Sequence, residues 1–126
     1  MRLSRRSRRR RAGHHVILKE VWDPQRFGVA VIRGNSIVRI EEKPAVPEPN
    51  FPVIGIYLYD HTVFDRIRVL KPSKRGELGI TDLNNSYLSR GALSHSILKG
   101  WWTDAGTFES LLRANKLVAQ TGANRA

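Results

Sequence analysis

Val53-Ile54-Gly55-Ile56-Tyr57-Leu58-Tyr59 is apolar from end to end and does not alternate with polar residues. A strand with one wet face shows the alternation, so the unbroken run predicts a central strand buried on both faces, covered by helices or a second layer. Toward the N-terminus, Val16–Val21, Gly28–Ile32 and Ser36–Glu41 read as strands, the last two joined by Arg33-Gly34-Asn35, a good hairpin turn. Toward the C-terminus, Asp60 is placed to cap a short helix that carries Val63, Phe64 and Ile67 inward. Thr81 is placed to cap another, with Leu83, Tyr87 and Leu88 inward and Gly91 as its stop. A strand near Leu93–Leu98 follows. Thr107 then caps a final helix in which Phe108, Leu111, Leu112 and Val118 recur at helical spacing, with Gly122 ending it. The order is short strands first and helices later, with Pro, Gly and Asn marking the turns between them.

The chain has 126 residues, enough for one domain. It has no cysteine, which excludes a disulfide framework, a cysteine zinc site and a thiol nucleophile, and suits a reducing cytoplasm. Lysines and arginines number 22 against 11 acids, a net charge of +11, but the excess is concentrated. Arg2, Arg5, Arg6, Arg8, Arg9, Arg10 and Arg11 all precede the first acid, Glu20, and without them the balance is only +4. Residues 1–12, MRLSRRSRRRRA, offer almost nothing to bury and are expected to form a disordered arm. Such an arm could hold nucleic acid or another polyanion through salt-sensitive, sequence-independent contacts, although it has no interleaved aromatics for base stacking. Val16-Ile17-Leu18 meets Lys19-Glu20 too soon to be a secretory core, and no segment has the length of a membrane span, so no membrane partner is expected.

Neither a P-loop nor a dinucleotide fingerprint is present, since no two glycines are spaced G-x-G and no Gly-Lys-Ser/Thr occurs. There is no nucleophile elbow and no H-E-x-x-H helix, and His14-His15 have no third ligand at useful spacing. Three stretches carry possible chemistry. Glu41-Glu42-Lys43-Pro44 ends a strand where the proline turns the chain away, and a carboxylate beside an ammonium could hold a hydroxyl and a phosphate; a solvated strand end is the plain alternative. Lys71 to Asp82 is a basic loop leading into a helix, where Arg75 is suited to gripping phosphate, or is simply solvated. Gly100-Trp101-Trp102-Thr103-Asp104-Ala105-Gly106-Thr107 sets one carboxylate among aromatics, either for a hard cation such as Mg²⁺ or as part of a capping turn.

These three stretches in this order, with Asp23-Pro24-Gln25-Arg26-Phe27-Gly28-Val29 before them and Gly55-Ile56-Tyr57-Leu58-Tyr59-Asp60 between, resemble the sugar-phosphate nucleotidylyltransferases. The likeness is nearest to the glucose-1-phosphate thymidylyltransferases and runs from about Gly13 to about Gly122. R-G-E-L-x-I-T-D-L-N followed by W-x-D-x-G-T is its specific part. The resemblance implies an α/β, Rossmann-like nucleotidyltransferase fold, a mixed sheet with flanking helices, and a reaction in which a sugar 1-phosphate attacks the α-phosphorus of dTTP while Mg²⁺ helps expel pyrophosphate. It further implies that Gly28 and Val53 approach the sugar through their backbone, that Glu42 binds sugar hydroxyls, that Lys43 and Arg75 hold the sugar phosphate, and that Asp104 is one of two metal-binding aspartates. Gly79 stands where the family usually has Glu, Thr103 where it has an apolar residue, Ala105 where it has Thr, and Pro52 and Ile54 where it has Ala and Thr.

The same resemblance leaves the family's N-terminal half without a counterpart: the Gly-rich loop that binds the triphosphate, the base-recognition residues and the other aspartate. The expectation is therefore a C-terminal, sugar-phosphate-binding fragment, incomplete as a fold and inactive alone. A complementary N-terminal chain or self-association would cover it. The alternatives are a non-catalytic partner or regulatory subunit and a polyanion-binding module that uses the arm.

Overall fold

A computed structural model describes residues 13–46, 51–73 and 76–122, which divide into two compact units, residues 13–98 and residues 99–122. The arginine-rich arm and Arg75 lie outside the described residues. The larger unit contains β1 (His14–Leu18), β2 (Gly28–Arg33), β3 (Ser36–Glu42), β4 (Phe51–Tyr59), α1 (Val63–Val69), α2 (Ile80–Leu88) and β5 (Leu93–Ile97). The smaller holds α3 (Phe108–Thr121) and the segment leading to it.

The five strands form one mixed sheet in the order β3-β2-β4-β1-β5. β1 and β5 run parallel, and the other neighbouring pairs are antiparallel. The β2–β3 hairpin closes as its sequence predicts, with Arg33 opposite Ser36 and the left-handed backbone position taken by Gly34 at φ 61°. β4 is central as expected. Its first two residues pair with β2 and the remainder with β1, with an irregularity in register that falls where Gly55 sits. The outermost strands, β3 and β5, come within 8 Å of each other by Cα, so the sheet curls around a core of Val16, Leu18, Ala30, Ile37, Ile40 and Val53.

The burial of β4 differs from the expectation. Pro52, Val53 and Ile54 are buried, but Ile56 and Leu58 are exposed and Tyr57 and Tyr59 half-buried. The apolar run is therefore covered on both faces only in its first half. Phe64 of α1 and Phe108, Leu111, Leu112 and Val118 of α3 also lie exposed rather than inward, Phe108 at 97%. Within the smaller unit, the described residues offer α3 only the segment 99–107 to pack against. Two cap assignments also differ. α1 starts after Thr62, whose N–H and hydroxyl are both bound by Asp60 Oδ1, and α2 starts after Gly79, leaving Thr81 inside the helix. Thr107 does cap α3, in a reciprocal capping box with Ser110, and Gly122 ends it at φ 74°.

β1 begins two residues earlier than the hydrophobic pattern suggests because His14 is part of the interior. Its ring is 2% exposed, stacks on Tyr59 with centroids 3.9 Å apart, and lies between two oxygens, the Leu58 carbonyl at 3.1 Å from Nδ1 and Asn84 Oδ1 at 2.7 Å from Nε2. Tyr59 also donates to Asn84 Oδ1, at 2.9 Å, so one side chain of α2 joins β1 and β4. Tyr87, one turn along α2, is fully buried, donates to Asp60 and lies under the Arg66 guanidinium at 4.0 Å. No described helix is long and apolar enough to cross a membrane.

Burial lowers the His14 pKa from the ordinary 6.5 and outweighs the hydrogen bonds to the Leu58 carbonyl and Asn84 Oδ1 that favour the charged ring. The unfolded chain then binds the extra proton first, so His14's contribution to stability is complete above pH 6.5 and is lost as pH falls below it toward the folded value. Urea unfolding followed from about pH 7.5 to about pH 5 should show a falling midpoint, and His14→Asn should flatten that slope. An unchanged slope in the variant would assign the pH dependence to other groups.

Candidate functional site

The open end of the β2–β3 hairpin brings several of the residues singled out in the sequence together. Gly28 faces Glu42 across the ladder, and the Lys43 N–H donates to the Phe27 carbonyl at 3.0 Å, the last bond before the chain leaves the sheet. Lys43 sits at φ 42°, in the left-handed region that non-glycine residues seldom enter. Pro44 follows and has no N–H to offer the ladder, so the strand ends at this point, with Glu42 and Lys43 exposed.

Thr81, in the first turn of α2, donates its hydroxyl to Glu42 Oε2. A Cβ at Gly28 would lie 3.1 Å from that hydroxyl oxygen and 3.3 Å from Glu42 Oε2. Glycine is thus the residue that keeps bare backbone beside the carboxylate without crowding it. Arg26, just before Gly28, pairs with Asp23 at 3.0 Å and stacks over Phe27, which steadies the approach to β2.

Of the other two described candidates, Val53 follows Pro52, which pairs with Val29, and so lies beside Gly28 in the sheet, and Asp104 is in the smaller unit. Val53 is in the core, 9% exposed and opposite Leu18, so its side chain is committed to packing and only its main chain could meet a ligand. Asp104 belongs to the smaller unit, where its Oδ2 accepts the Gly106 N–H and the Ser110 hydroxyl, each at 3.2 Å. This is the capping role that the sequence offered as the plain alternative.

Sequence reasoning missed the part played by α2. Thr81 looked like a cap, but Gly79 already supplies the extended backbone at the helix start, which releases the Thr81 hydroxyl for Glu42. Asn84 and Asn85 carried no assignment, yet Asn84 reaches His14 and Asn85 pairs with the main chain of Ile40. The available signal was the spacing of Thr81 and Asn85 at i, i+4, which puts two polar groups on one face of the helix.

A hard cation such as Mg²⁺ wants one or two carboxylates and space for water or phosphate oxygens. Among the described residues no group of three or more His, Cys, Asp or Glu could hold a metal ion, and the Asp104 carboxylate is engaged in its turn. The described donor set does not by itself make a complete site for the cation.

A curled mixed sheet with a carboxylate and a lysine where one strand ends, held from a helix start, makes the larger unit an α/β domain. Residues 2–121 match the nucleotidyl transferase family, and the chain belongs to it. The matched stretch takes in the arginine-rich arm, which the motifs do not reach. Among curated relatives, a glucose-1-phosphate thymidylyltransferase of Neisseria meningitidis is 46% identical over 109 residues, 84% of this chain and 38% of that protein. A low-salt glycan biosynthesis nucleotidyltransferase of Haloferax volcanii is 43% identical over 111 residues, 86% of this chain and 31% of that protein. A crystal structure described as a glucose-1-phosphate thymidylyltransferase from Bacillus anthracis, in complex with sucrose, superposes with a TM-score of 0.85 at 51% identity, covering 95% of this chain and 49% of that one. The chain thus spans about a third of the length of these curated relatives and half of the solved structure.

The packing at Gly28 gives a direct test. Gly28→Ala should cost about 1 kcal/mol, because the hydroxyl and the carboxylate must both shift to admit the methyl group. Gly55→Ala, with nothing within 4 Å of the added carbon, should be near neutral. Denaturant midpoints of the two variants compare them; equal effects would place Gly28 in open space.

Proposed function

We propose that the chain forms the sugar-phosphate-binding part of a glucose-1-phosphate thymidylyltransferase, corresponding to that enzyme's C-terminal half. The whole enzyme's reaction joins dTTP and glucose 1-phosphate to give dTDP-glucose and pyrophosphate. The observation that carries the reading is Glu42 and Lys43 side by side at the end of β3, with the bare backbone of Gly28 next to them and Thr81 bonded to the carboxylate.

On this reading the Glu42 carboxylate accepts hydrogen bonds from sugar hydroxyls, and the Lys43 ammonium, with Arg75, neutralises the sugar phosphate. Gly28 and Val53 contribute main-chain groups. Asp104 is the single carboxylate the chain would offer to a hard cation, and no chemical step is assigned to it. Phosphoryl transfer of this kind depends on positioning and on charge placed around the α-phosphorus, and the described residues form no cradle for a triphosphate. On this reading the described residues are a binding element, and turnover requires triphosphate-binding groups from outside them. The exposed Ile56, Leu58 and α3 stripe are surfaces on which a complementary chain, or a second copy, would gain by burial.

Calorimetric titration of the chain with glucose 1-phosphate should give saturable binding, weakened about tenfold by Lys43→Ala, the usual effect of removing one charge-assisted contact. Absence of binding in the unaltered chain would overturn the reading. Incubation with dTTP, glucose 1-phosphate and Mg²⁺ should release no pyrophosphate above background; release by this chain alone would refute its dependence on a partner.

A further inference from the structure

Glu42 is the last residue of an edge strand. On one side it is held by β2, through Gly28 and the Lys43–Phe27 bond. β3 has no further strand beyond it in the sheet order, and an unpaired edge of this kind leaves its N–H and C=O groups free to drift or to find another chain.

The groups of Ile40 are not left open. Its N–H donates to Asn85 Oδ1 at 3.2 Å and its carbonyl accepts from Asn85 Nδ2 at 3.0 Å, so one side-chain amide takes the place of a strand neighbour. The pairing fixes the amide's orientation, because a flipped group would set donor against donor and acceptor against acceptor. Two residues on, on the same face of β3, Glu42 accepts from Thr81, which is one turn before Asn85 on α2. The spans agree: four residues of helix rise about 6 Å and two residues of strand advance about 6.6 Å. α2 therefore lies along the β3 edge with both contacts in register, and neither can slide without straining the other.

Resting on the reading that Glu42 recognises sugar hydroxyls, we propose that Asn85 is a positioning residue for that carboxylate: by clamping Ile40 it sets the register of α2 on β3, and so places Thr81 to orient Glu42. Asn85 touches no ligand. Its effect is on discrimination, since the phosphate is held by Lys43, outside the clamp, while the sugar depends on where the carboxylate points.

The test uses the full chain, with glucose 1-phosphate and inorganic phosphate as probes and their affinity ratio as the readout. In Asn85→Ala the preference for glucose 1-phosphate should fall about tenfold while phosphate affinity holds, the size expected when a hydrogen-bonded charged group loses its orientation. Asn85→Asp, nearly the same shape but unable to donate to the Ile40 carbonyl, should reproduce the loss with the chain still folded by circular dichroism. A ratio unchanged in the folded Asp variant overturns the proposal. A second readout is independent of ligand: nuclear Overhauser contacts between the Thr81 methyl and the Glu42 methylenes should be present in the unaltered chain and disappear in both variants. Their persistence refutes the clamp even if nothing binds, whereas failure of the unaltered chain to bind either probe counts against the proposed function alone.

Discussion

β4 changes partner between Pro52 and Val53, and on that exchange the sheet depends. Phe51 and Pro52 lie beside Ala30 and Val29 of β2, while Val53 to Tyr59 run along β1. The β2–β3 hairpin and the β1–β5 pair share no other strand. Without the exchange they would be two separate ribbons, each too small to be stable alone. With it, side chains from β1, β2, β3 and β4 converge on one cluster, and α2 has a continuous surface to lie on. Proline suits the crossover well. It cannot donate to the ladder, so pairing weakens where the strand must change neighbours, yet its carbonyl still accepts from the Lys19 N–H at 3.2 Å.

Much of this was legible in the sequence because it rests on local chemistry. Gly34 marks a backbone only glycine adopts easily, and Thr107 and Gly122 punctuate α3. What was not legible depends on contacts distant in the chain. His14 is polar and sits outside the apolar pattern, and it becomes interior only because Asn84, seventy residues away, meets it there. The Phe108, Leu111, Leu112 and Val118 stripe has the period of a buried face, but periodicity reports which side is apolar and says nothing of whether anything covers it.

The candidate site divides in the same way. Glu42, Lys43 and Gly28 could be picked out because a strand end, a proline and a glycine show in the sequence. The hydroxyl that meets Glu42 could not, because Thr81 at a helix start has an ordinary local role that masks its long-range one. Asp104 teaches the converse: a carboxylate in a suggestive motif is used, in the described residues, to order the turn into α3. A residue engaged in this way is held in a fixed orientation, which a local cap and a ligand-binding group both require.

The parallel pairing of β1 with β5 has a kinetic consequence. His14 to Leu18 bond to Leu93 to Ile97, so the segment that enters the sheet first in sequence is completed by the strand that enters last. Loop closure over such a separation is slow, and non-local pairing of this kind lowers folding rates by orders of magnitude relative to local helical contacts. During synthesis, β1 and the long apolar β4 would leave the ribosome before β5 exists. The nascent chain then presents an unpaired apolar edge for several seconds at ordinary elongation rates of roughly 5–20 residues per second. The hairpin of β2 and β3, entirely local, is the piece able to form in that interval, and it is the one that carries Glu42.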